Sequence, residues 1–371
     1  MKILAVNWLD KANPQAGGAE VHFFEIFRRI VDRGHSVTLV ASGWEGAEPT
    51  AATDGIKVLR FARRYSFALK ARAAVRQILR QEPFDVLVED INKIPLFLPT
   101  LTSLPVYALV PHLFGQSIFQ EAAFPVAVVV RLAELPIPRV YRRSVFHAIS
   151  KSTRDDLVAR GIPKSAIEVI YPGVDTSWYS TDDSIPREID PTFLYVGRLR
   201  RYKGVDTAIG ALAILRHKFR TAKLLVAGSG DDLPRLRIVA RRSGVEENVE
   251  FLGFVSEAEK RDLMRRVWAV VLPSAREGWG MTNIEAAACG TPALAARSPG
   301  LTETVLDGKT GALFPYGDCQ SLAGEMDKLC SDESLRMSLG SNASRFAGRF
   351  SWDTASELTE AQLKRFVQTH Y

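Results

Sequence analysis

A chain of 371 residues is long enough for two domains of ordinary size. With 46% hydrophobic and 24% charged residues, its composition excludes a disordered or fibrous chain. Three cysteines are too few for a disulfide framework and indicate a reducing, cytoplasmic setting.

Strands and helices alternate along both halves of the chain. The first half predicts strands at 3–6, 35–41, 56–60, 86–88, 106–110 and 145–149, with a helix from Gly17-Gly18 to about Arg33. The second half predicts strands at 193–196, 223–227, 249–251, 269–272 and 293–296, and a last helix at about 353–367. This alternation predicts an α/β protein with two Rossmann-like, doubly wound parallel-sheet domains that face a cleft. The predicted divisions are a first domain over 1–172, a linker over 173–191, a second domain over 192–350, and a helix over 351–371 that crosses back to the first domain.

The positive charge is concentrated near the start. Residues 1–170 hold 22 Lys and Arg against 16 Asp and Glu, a net charge of +6, and the remainder is neutral. Residues 57–80 contain eight of these cations and no acid, interleaved with apolar residues. A basic amphipathic helix there could lie on an anionic membrane surface. The alternative is a surface helix packed on its own sheet, in which case the charge excess is incidental. We predict no nucleic-acid partner and a cytoplasmic protein, with peripheral contact at the inner face of the membrane left open.

The segment from Glu277 to Pro292 carries the most specific chemistry. It follows a predicted strand and reads Glu-Gly-Trp-Gly-Met-Thr-Asn-Ile-Glu-Ala-Ala-Ala-Cys-Gly-Thr-Pro. A strand, a glycine loop and a helix N-terminus make an anion site, because free backbone N–H groups and the helix dipole favour negative charge. Carboxylates beside such a site can accept hydrogen bonds from sugar hydroxyls, so the segment predicts a nucleotide-sugar site.

Other candidates follow predicted strands. Arg198 and Lys203 come after the first strand of the second half, where two cations could neutralise a diphosphate without a metal, or could simply face solvent. Gly17-Gly18 and Gly228-Ser229-Gly230 could let backbone approach a phosphate or sugar, or could be plain turns. His112 ends an apolar run and could assist at a substrate hydroxyl, or could be structural. The histidines show no metal-ligand spacing, so no metal and no other cofactor is predicted.

These motifs resemble those of the retaining GT-B glycosyltransferases of family four, the group 1 type. The resemblance rests on the Glu277-x7-Glu285 segment with its Cys-Gly-Thr-Pro tail, and on the order of the weaker motifs along nearly the whole chain. Those weaker motifs are Gly17-Gly18, Ser150-Lys-Ser-Thr, Pro172-Gly173-Val174-Asp175, Gly197-Arg198-Leu199, Lys203-Gly204 and Gly228-Ser229-Gly230.

The resemblance implies residue roles. Glu285 would bind the donor ribose, Glu277 would contact the transferred sugar, and Arg198 and Lys203 would hold the diphosphate. The remaining donor contacts would come from Gly17, Gly18, Gly228, Gly230, Gly280, Met281 and Thr282. His112 would lie near the donor sugar, although Pro111 stands where many relatives place the histidine.

The implied reaction is metal-independent, retaining transfer of a sugar from a nucleoside diphosphate sugar to an acceptor hydroxyl. The acceptor would be a carbohydrate, a lipid-linked sugar or a small molecule, in cell-envelope polysaccharide or glycolipid synthesis. Rival functions are a sugar-nucleotide epimerase on the same fold, a non-catalytic sugar-nucleotide binder and a nicotinamide-dependent dehydrogenase. The dehydrogenase is disfavoured because no Gly-x-Gly-x-x-Gly follows the first strand. The donor base, sugar, acceptor and oligomeric state stay open.

Overall fold

The computed structural model describes residues 1–115, 118–121 and 123–370, and all their side chains except those of Tyr65, Gln120 and Glu121. The chain forms two compact units. The first contains residues 1–173 together with the C-terminal helix, and the second contains residues 174–351.

The first unit is built on an eight-stranded sheet. Its strands are β1 (Lys2–Val6), β2 (Ser36–Gly43), β3 (Thr50–Thr53), β4 (Ile56–Arg63), β5 (Val86–Asp90), β6 (Val106–Val110), β7 (Val145–Ala148) and β8 (Ile167–Val169). Its helices are α1 (Gly18–Asp32), α2 (Arg64–Gln81), α3 (Ile118–Glu121), α4 (Phe124–Glu134), α5 (Ile137–Val140) and α6 (Lys151–Ala159). The strand order is β3-β4-β2-β1-β5-β6-β7-β8, and every pair is parallel except β3 with β4. All residues of β5 and β6 are buried, as expected for parallel strands covered on both faces.

The second unit is built on a six-stranded parallel sheet. Its strands are β9 (Thr192–Val196), β10 (Lys223–Ala227), β11 (Val249–Gly253), β12 (Ala269–Leu272), β13 (Ala293–Ala296) and β14 (Gly311–Phe314). Its helices are α7 (Val205–Leu215), α8 (Leu233–Arg242), α9 (Glu257–Arg266), α10 (Met281–Ala288), α11 (Leu301–Thr304), α12 (Cys319–Ser331) and α13 (Glu333–Ala347). The strand order is β11-β10-β9-β12-β13-β14.

The C-terminal helix α14 (Trp352–His370) belongs to the first unit and packs on α1. Its Glu360 is buried and pairs with Arg33, with His35 at 2.9 Å and with Lys364. These three partners outweigh the effect of burial and lower the pKa of the Glu360 carboxyl to about 2. The cluster therefore joins the last helix to the end of the first one.

The prediction of two parallel-sheet α/β units is confirmed, but several local predictions were wrong. Sequence analysis missed β3, β8 and β14, which have only three or four residues each. The basic run 57–80 is not one helix, because 57–63 lie in β4 and only the later residues form α2. The segment 173–191 falls in the second unit from residue 174 onward, and Tyr179 there is buried, while the predicted domain divisions stay a prediction. Over the described residues, none of the helices combines the length and apolar character needed to cross a bilayer.

Candidate active site

The second sheet reverses its winding direction between β9 and β12. The strands that follow β9 in the chain lie on one side of it, and the strands that follow β12 lie on the other. The connections that leave the carboxyl ends of these two neighbouring strands therefore lead to strands on opposite sides. In open parallel sheets this switch point is the usual ligand site. Arg198 and Lys203 follow β9, and Glu277 and Glu285 follow β12, so the topology gathers four of the predicted site residues at one edge.

Close backbone packing holds the two loops together. Gly204 has a left-handed backbone (φ 67°), and a Cβ there would lie 2.2 Å from the carbonyl oxygen of Pro273. Gly300, in the loop after β13, is equally constrained, because its Cβ would lie 2.4 Å from the carbonyl oxygen of Glu277. Glycine is required at both positions for these approaches. The backbone at Lys203 and at Glu277 is thus fixed by close contact with neighbouring loops.

Lys203 and Glu277 form an ion pair at the centre of this edge. Lys203 Nζ donates to Glu277 Oε1 at 2.6 Å, and the two side chains are only 16% and 18% exposed. Burial opposes the charge of Lys203, but Glu277 with Tyr202 and Tyr195 outweighs it, so the pKa of the Lys203 ammonium is raised. Lys203 is therefore charged at neutral pH, and without a ligand its charge is balanced by Glu277. Sequence analysis assigned the two residues to different parts of the donor and did not foresee their contact.

The other predicted residues of this unit lie around the pair. Arg198 is exposed in the loop after β9, and its carbonyl oxygen accepts a hydrogen bond from the Tyr195 hydroxyl at 2.9 Å. Gly280 caps α10 with a left-handed backbone (φ 95°), and Met281 and Thr282 begin that helix and are partly exposed. The first N–H groups of α10 and the positive end of its dipole are thus available for an anion.

Glu285 takes part in a partly buried network that sequence analysis missed. Lys260 Nζ, on α9, lies 3.2 Å from Glu285 Oε2 and 2.8 Å from Glu257 Oε2. The Tyr179 hydroxyl donates to Glu257, and Lys260 Nζ lies 5.2 Å from the centre of the Tyr179 ring. Burial, with a smaller effect of Glu257, raises the pKa of Glu285 although Lys260 lowers it. Glu285 is therefore already paired with a cation before any ligand binds.

Gly228 and Gly230 have a structural reason to be glycine. A Cβ at Gly228 would lie 1.9 Å from the carbonyl oxygen of Gly197, and one at Gly230 would lie 2.0 Å from that of Leu199. These glycines let the loop after β10 approach the backbone of the loop after β9. Their predicted contact with the donor stays a prediction.

The predicted residues of the first unit lie at the carboxyl edge of its sheet. Gly17 caps α1, which begins at Gly18, and the Gly17 N–H donates to Glu20 Oε2 at 2.7 Å. His112 follows β6 and Pro111, is partly buried, and lies edge-on to the Phe114 ring with their centres 5.0 Å apart. Their assignment to donor binding and catalysis stays a prediction. Among the described residues, no group of three or more His, Cys, Asp or Glu side chains is arranged to hold a metal ion.

Comparison with known proteins agrees with this geometry. Residues 16–178 match the family model of glycosyltransferase family 4, and residues 181–346 match that of the glycosyl transferases group 1. The chain belongs to the group 1 glycosyltransferase family.

Two curated relatives and one solved structure illustrate the range of similarity. The chain is 32% identical over 209 residues to a D-inositol 3-phosphate glycosyltransferase of Corynebacterium jeikeium, a match covering 52% of this chain and 50% of that protein. It thus spans about half the length of that relative. It is 27% identical over 384 residues to a GDP-mannose-dependent alpha-(1-6)-phosphatidylinositol monomannoside mannosyltransferase of Mycobacterium tuberculosis, covering 92% of this chain and 93% of that one. Sucrose-phosphate synthase from Thermosynechococcus elongatus superposes with a TM-score of 0.86 over 100% of both chains, at 20% identity. That superposition confirms the GT-B fold.

Proposed function

We propose that this protein transfers a sugar from a nucleoside diphosphate sugar to an acceptor hydroxyl, with retention of the α configuration and without a metal ion. The observation that carries the proposal is the partly buried Lys203–Glu277 pair at the switch point of the second sheet, next to the N-terminus of α10. Family membership and the donor in the name of the mannosyltransferase relative, GDP-mannose, support a nucleotide sugar.

Donor binding would use fixed positive potential. The diphosphate would contact Arg198, Lys203 and the first N–H groups of α10 around Gly280, Met281 and Thr282. The ribose hydroxyls would donate to Glu285, which Lys260 holds in place. Binding would give Lys203 a second anionic partner and leave Glu277 able to accept hydrogen bonds from the sugar.

The chemistry would depend on stabilising the leaving group. The bond between the anomeric carbon and the diphosphate oxygen breaks, and negative charge grows on the oxygen facing Lys203, Arg198 and α10. Preorganised cations and N–H groups at that position lower the barrier without a metal. The acceptor oxygen bonds to the anomeric carbon from the face that the diphosphate leaves, and its proton passes to the departing phosphate. No protein nucleophile is required, and Glu277 and His112 would orient the sugar.

The acceptor would be a carbohydrate, a lipid-linked sugar or a small molecule, and the product would serve envelope polysaccharide or glycolipid synthesis. Support comes from the mannosyltransferase relative, whose name gives a phosphatidylinositol mannoside as its acceptor and which matches over most of both chains.

The first test is calorimetric titration with uridine, guanosine, adenosine and cytidine diphosphates in the presence of a chelator. Tight binding of one of them is expected, and Arg198→Ala should weaken it. Arg200→Ala is the matched control, because Arg200 lies in the same loop but pairs with Asp231. If no nucleotide binds even with magnesium, the proposal fails.

Turnover separates transfer from the rival functions. The sugar nucleotide of the selected base should be consumed only with an acceptor, and the anomeric proton coupling of the product should show an α linkage. Epimerised donor without an acceptor would instead identify an epimerase. Binding without turnover on any acceptor would identify a non-catalytic binder.

A further inference from the structure

Helix α4 is apolar on the side that faces solvent. Five large apolar side chains, which we call the α4 face, are between 53% and 70% exposed, namely Phe124, Val126, Val129, Leu132 and Leu135. On a surface helix of a globular protein this side is normally polar. Between Phe124 and Leu135 the only charged residues are Arg131 and Glu134. The α4 face is therefore an unpartnered apolar strip on the first unit.

The inner side of the same helix is already occupied. Ala127 and Val130 pack in a small core cluster with Ile118. Glu134 is buried, pairs with Arg160 at 2.8 Å, and accepts the backbone N–H groups of Phe114 and Gly115. These contacts fix the rotation of α4 about its axis. The helix cannot turn its exposed side chains inward without breaking the contacts of Glu134 with Arg160 and with these two N–H groups.

Several cations lie on helix α4 or follow it closely along the chain. Arg131 lies on the helix, and Arg139, Arg142 and Arg143 follow its end and are exposed. No described acidic side chain pairs with the last three, and Glu134 is the only acid between 123 and 144. An apolar face followed by arginines supplies what an anionic bilayer surface binds, namely apolar side chains for the acyl layer and cations for the charged head groups.

A second copy of the chain fits this surface less well. In a two-fold symmetric dimer the same patch meets itself, so the arginines of the two copies would approach one another. Like charges brought together at an interface oppose association. An anionic lipid surface instead gives these arginines counter-charges that the described acidic side chains do not supply.

Helix α2, where the sequence suggested membrane contact, does not offer such a face. Phe67, Ala71, Val75 and Ile78 are buried in the core of the first unit. Of the described side chains on α2, the exposed large apolar one is Leu69. The apolar side of this basic helix is thus used to cover its own sheet.

We propose that the α4 face and the arginines that follow it dock the first unit on an anionic lipid bilayer. The helix has 11 residues and is about 16 Å long, so it would lie along the surface at the level of the head groups. This inference does not depend on the sugar-transfer proposal.

Vesicle flotation tests the proposal on the whole protein. We expect binding to phosphatidylcholine vesicles that contain phosphatidylglycerol, weaker binding without phosphatidylglycerol, and a decrease with added salt. Val129→Glu with Leu132→Glu should reduce binding by about tenfold or more, since both carboxylates would enter the apolar layer. Arg139→Ala, Arg142→Ala and Arg143→Ala together should remove the preference for the anionic lipid. Leu69→Glu on α2 is the matched control and should leave binding unchanged.

Two further measurements keep the outcome decisive. Val129 and Leu132 are mostly exposed, so the double variant should keep the melting temperature and the nucleotide affinity of the wild type. The proposal is overturned if the wild type binds neither kind of vesicle, or if Leu69→Glu abolishes binding and the α4 variant does not. Light scattering that shows a dimer, dissociated by the α4 variant, would identify a second copy as the occupant instead.

Discussion

Replacing Lys203 by Met tests the central ion pair most directly. The change keeps most of the side-chain length and removes the charge that lies 2.6 Å from Glu277. Removing one partner of a buried pair typically costs about 3–5 kcal/mol, because the other charge stays desolvated. Both side chains here keep about one sixth of their exposure, so some water reaches the carboxylate. We therefore expect a loss of about 2–3 kcal/mol in the free energy of unfolding.

The double variant Lys203→Met with Glu277→Gln removes both charges. Most of the lost stability should return, because no uncompensated carboxylate remains. Lys218→Met is the control, since Lys218 pairs with Asp327 on the surface and both side chains are more than 40% exposed. That change should cost less than about 1 kcal/mol. Urea unfolding of the four proteins measures these differences.

Nucleotide binding separates the function of the pair from its stability. Lys203→Met should weaken nucleoside diphosphate binding by about 1.5–3 kcal/mol, or about 10-fold to 150-fold, as expected for a lost charged hydrogen bond. Glu277→Gln should bind the same nucleotide at least as tightly as the wild type, because Lys203 no longer has a competing partner. Calorimetry on both variants gives the comparison. Equal losses in the two variants, or none in Lys203→Met, would refute the reasoning.

Three further predictions concern Glu285, Lys260 and Glu360. Glu285→Ala should weaken donor nucleotide binding by about 1–3 kcal/mol, and unchanged affinity in calorimetry would exclude the ribose contact. Lys260→Met should also weaken nucleotide binding, with partial recovery in Lys260→Arg, because Lys260 Nζ lies 3.2 Å from Glu285. If a calorimetric titration gives the two variants the same nucleotide affinity, Lys260 does not position Glu285. The folded pKa of Glu360, about 2, lies below its unfolded value, so its contribution is present above about pH 4.5 and is lost as the pH falls toward 2. Glu360→Gln should therefore cost about 1–3 kcal/mol at pH 7 and progressively less below pH 4.5, and a difference in thermal unfolding that does not change with pH would contradict this assignment.

The sequence predicted the alternation of strands and helices because the buried parallel strands are short apolar runs. β6 and β12 are examples whose bounds were predicted correctly. The prediction failed for a strand that is short and not buried. An example is β3, whose four residues pair antiparallel with β4 at the edge of the sheet. Although a strand was predicted at 56–60, the predicted basic helix was begun too early, at 57, because cations run through both elements and hide the change from a strand to a helix at Arg64.

Individual site residues were easier to find than their partners. A helix N-terminus after a strand can be recognised locally, and so can a carboxylate within it, as for Glu285. Lys260 could not be found this way. The capping box of Ser256 and Glu259 predicts where its helix begins, but its charged neighbours look like a solvated helix face. Its contact with Glu285 depends on how α9 and α10 pack, which is a property of the whole unit.

The Lys203–Glu277 pair shows why topology decides this site. The two residues are 74 positions apart, and neither loop contains a local signal for the other. They meet because β9 and β12 are neighbours at the point where the sheet reverses direction, and because Gly204 lets one loop lie against Pro273. A Cβ at Gly204 would push the loops apart and separate the cation from its carboxylate. The same backbone contact that makes the site compact therefore also sets its charge balance. Without a ligand, Glu277 neutralises the Lys203 ammonium. An entering diphosphate has to compete with Glu277 for Lys203.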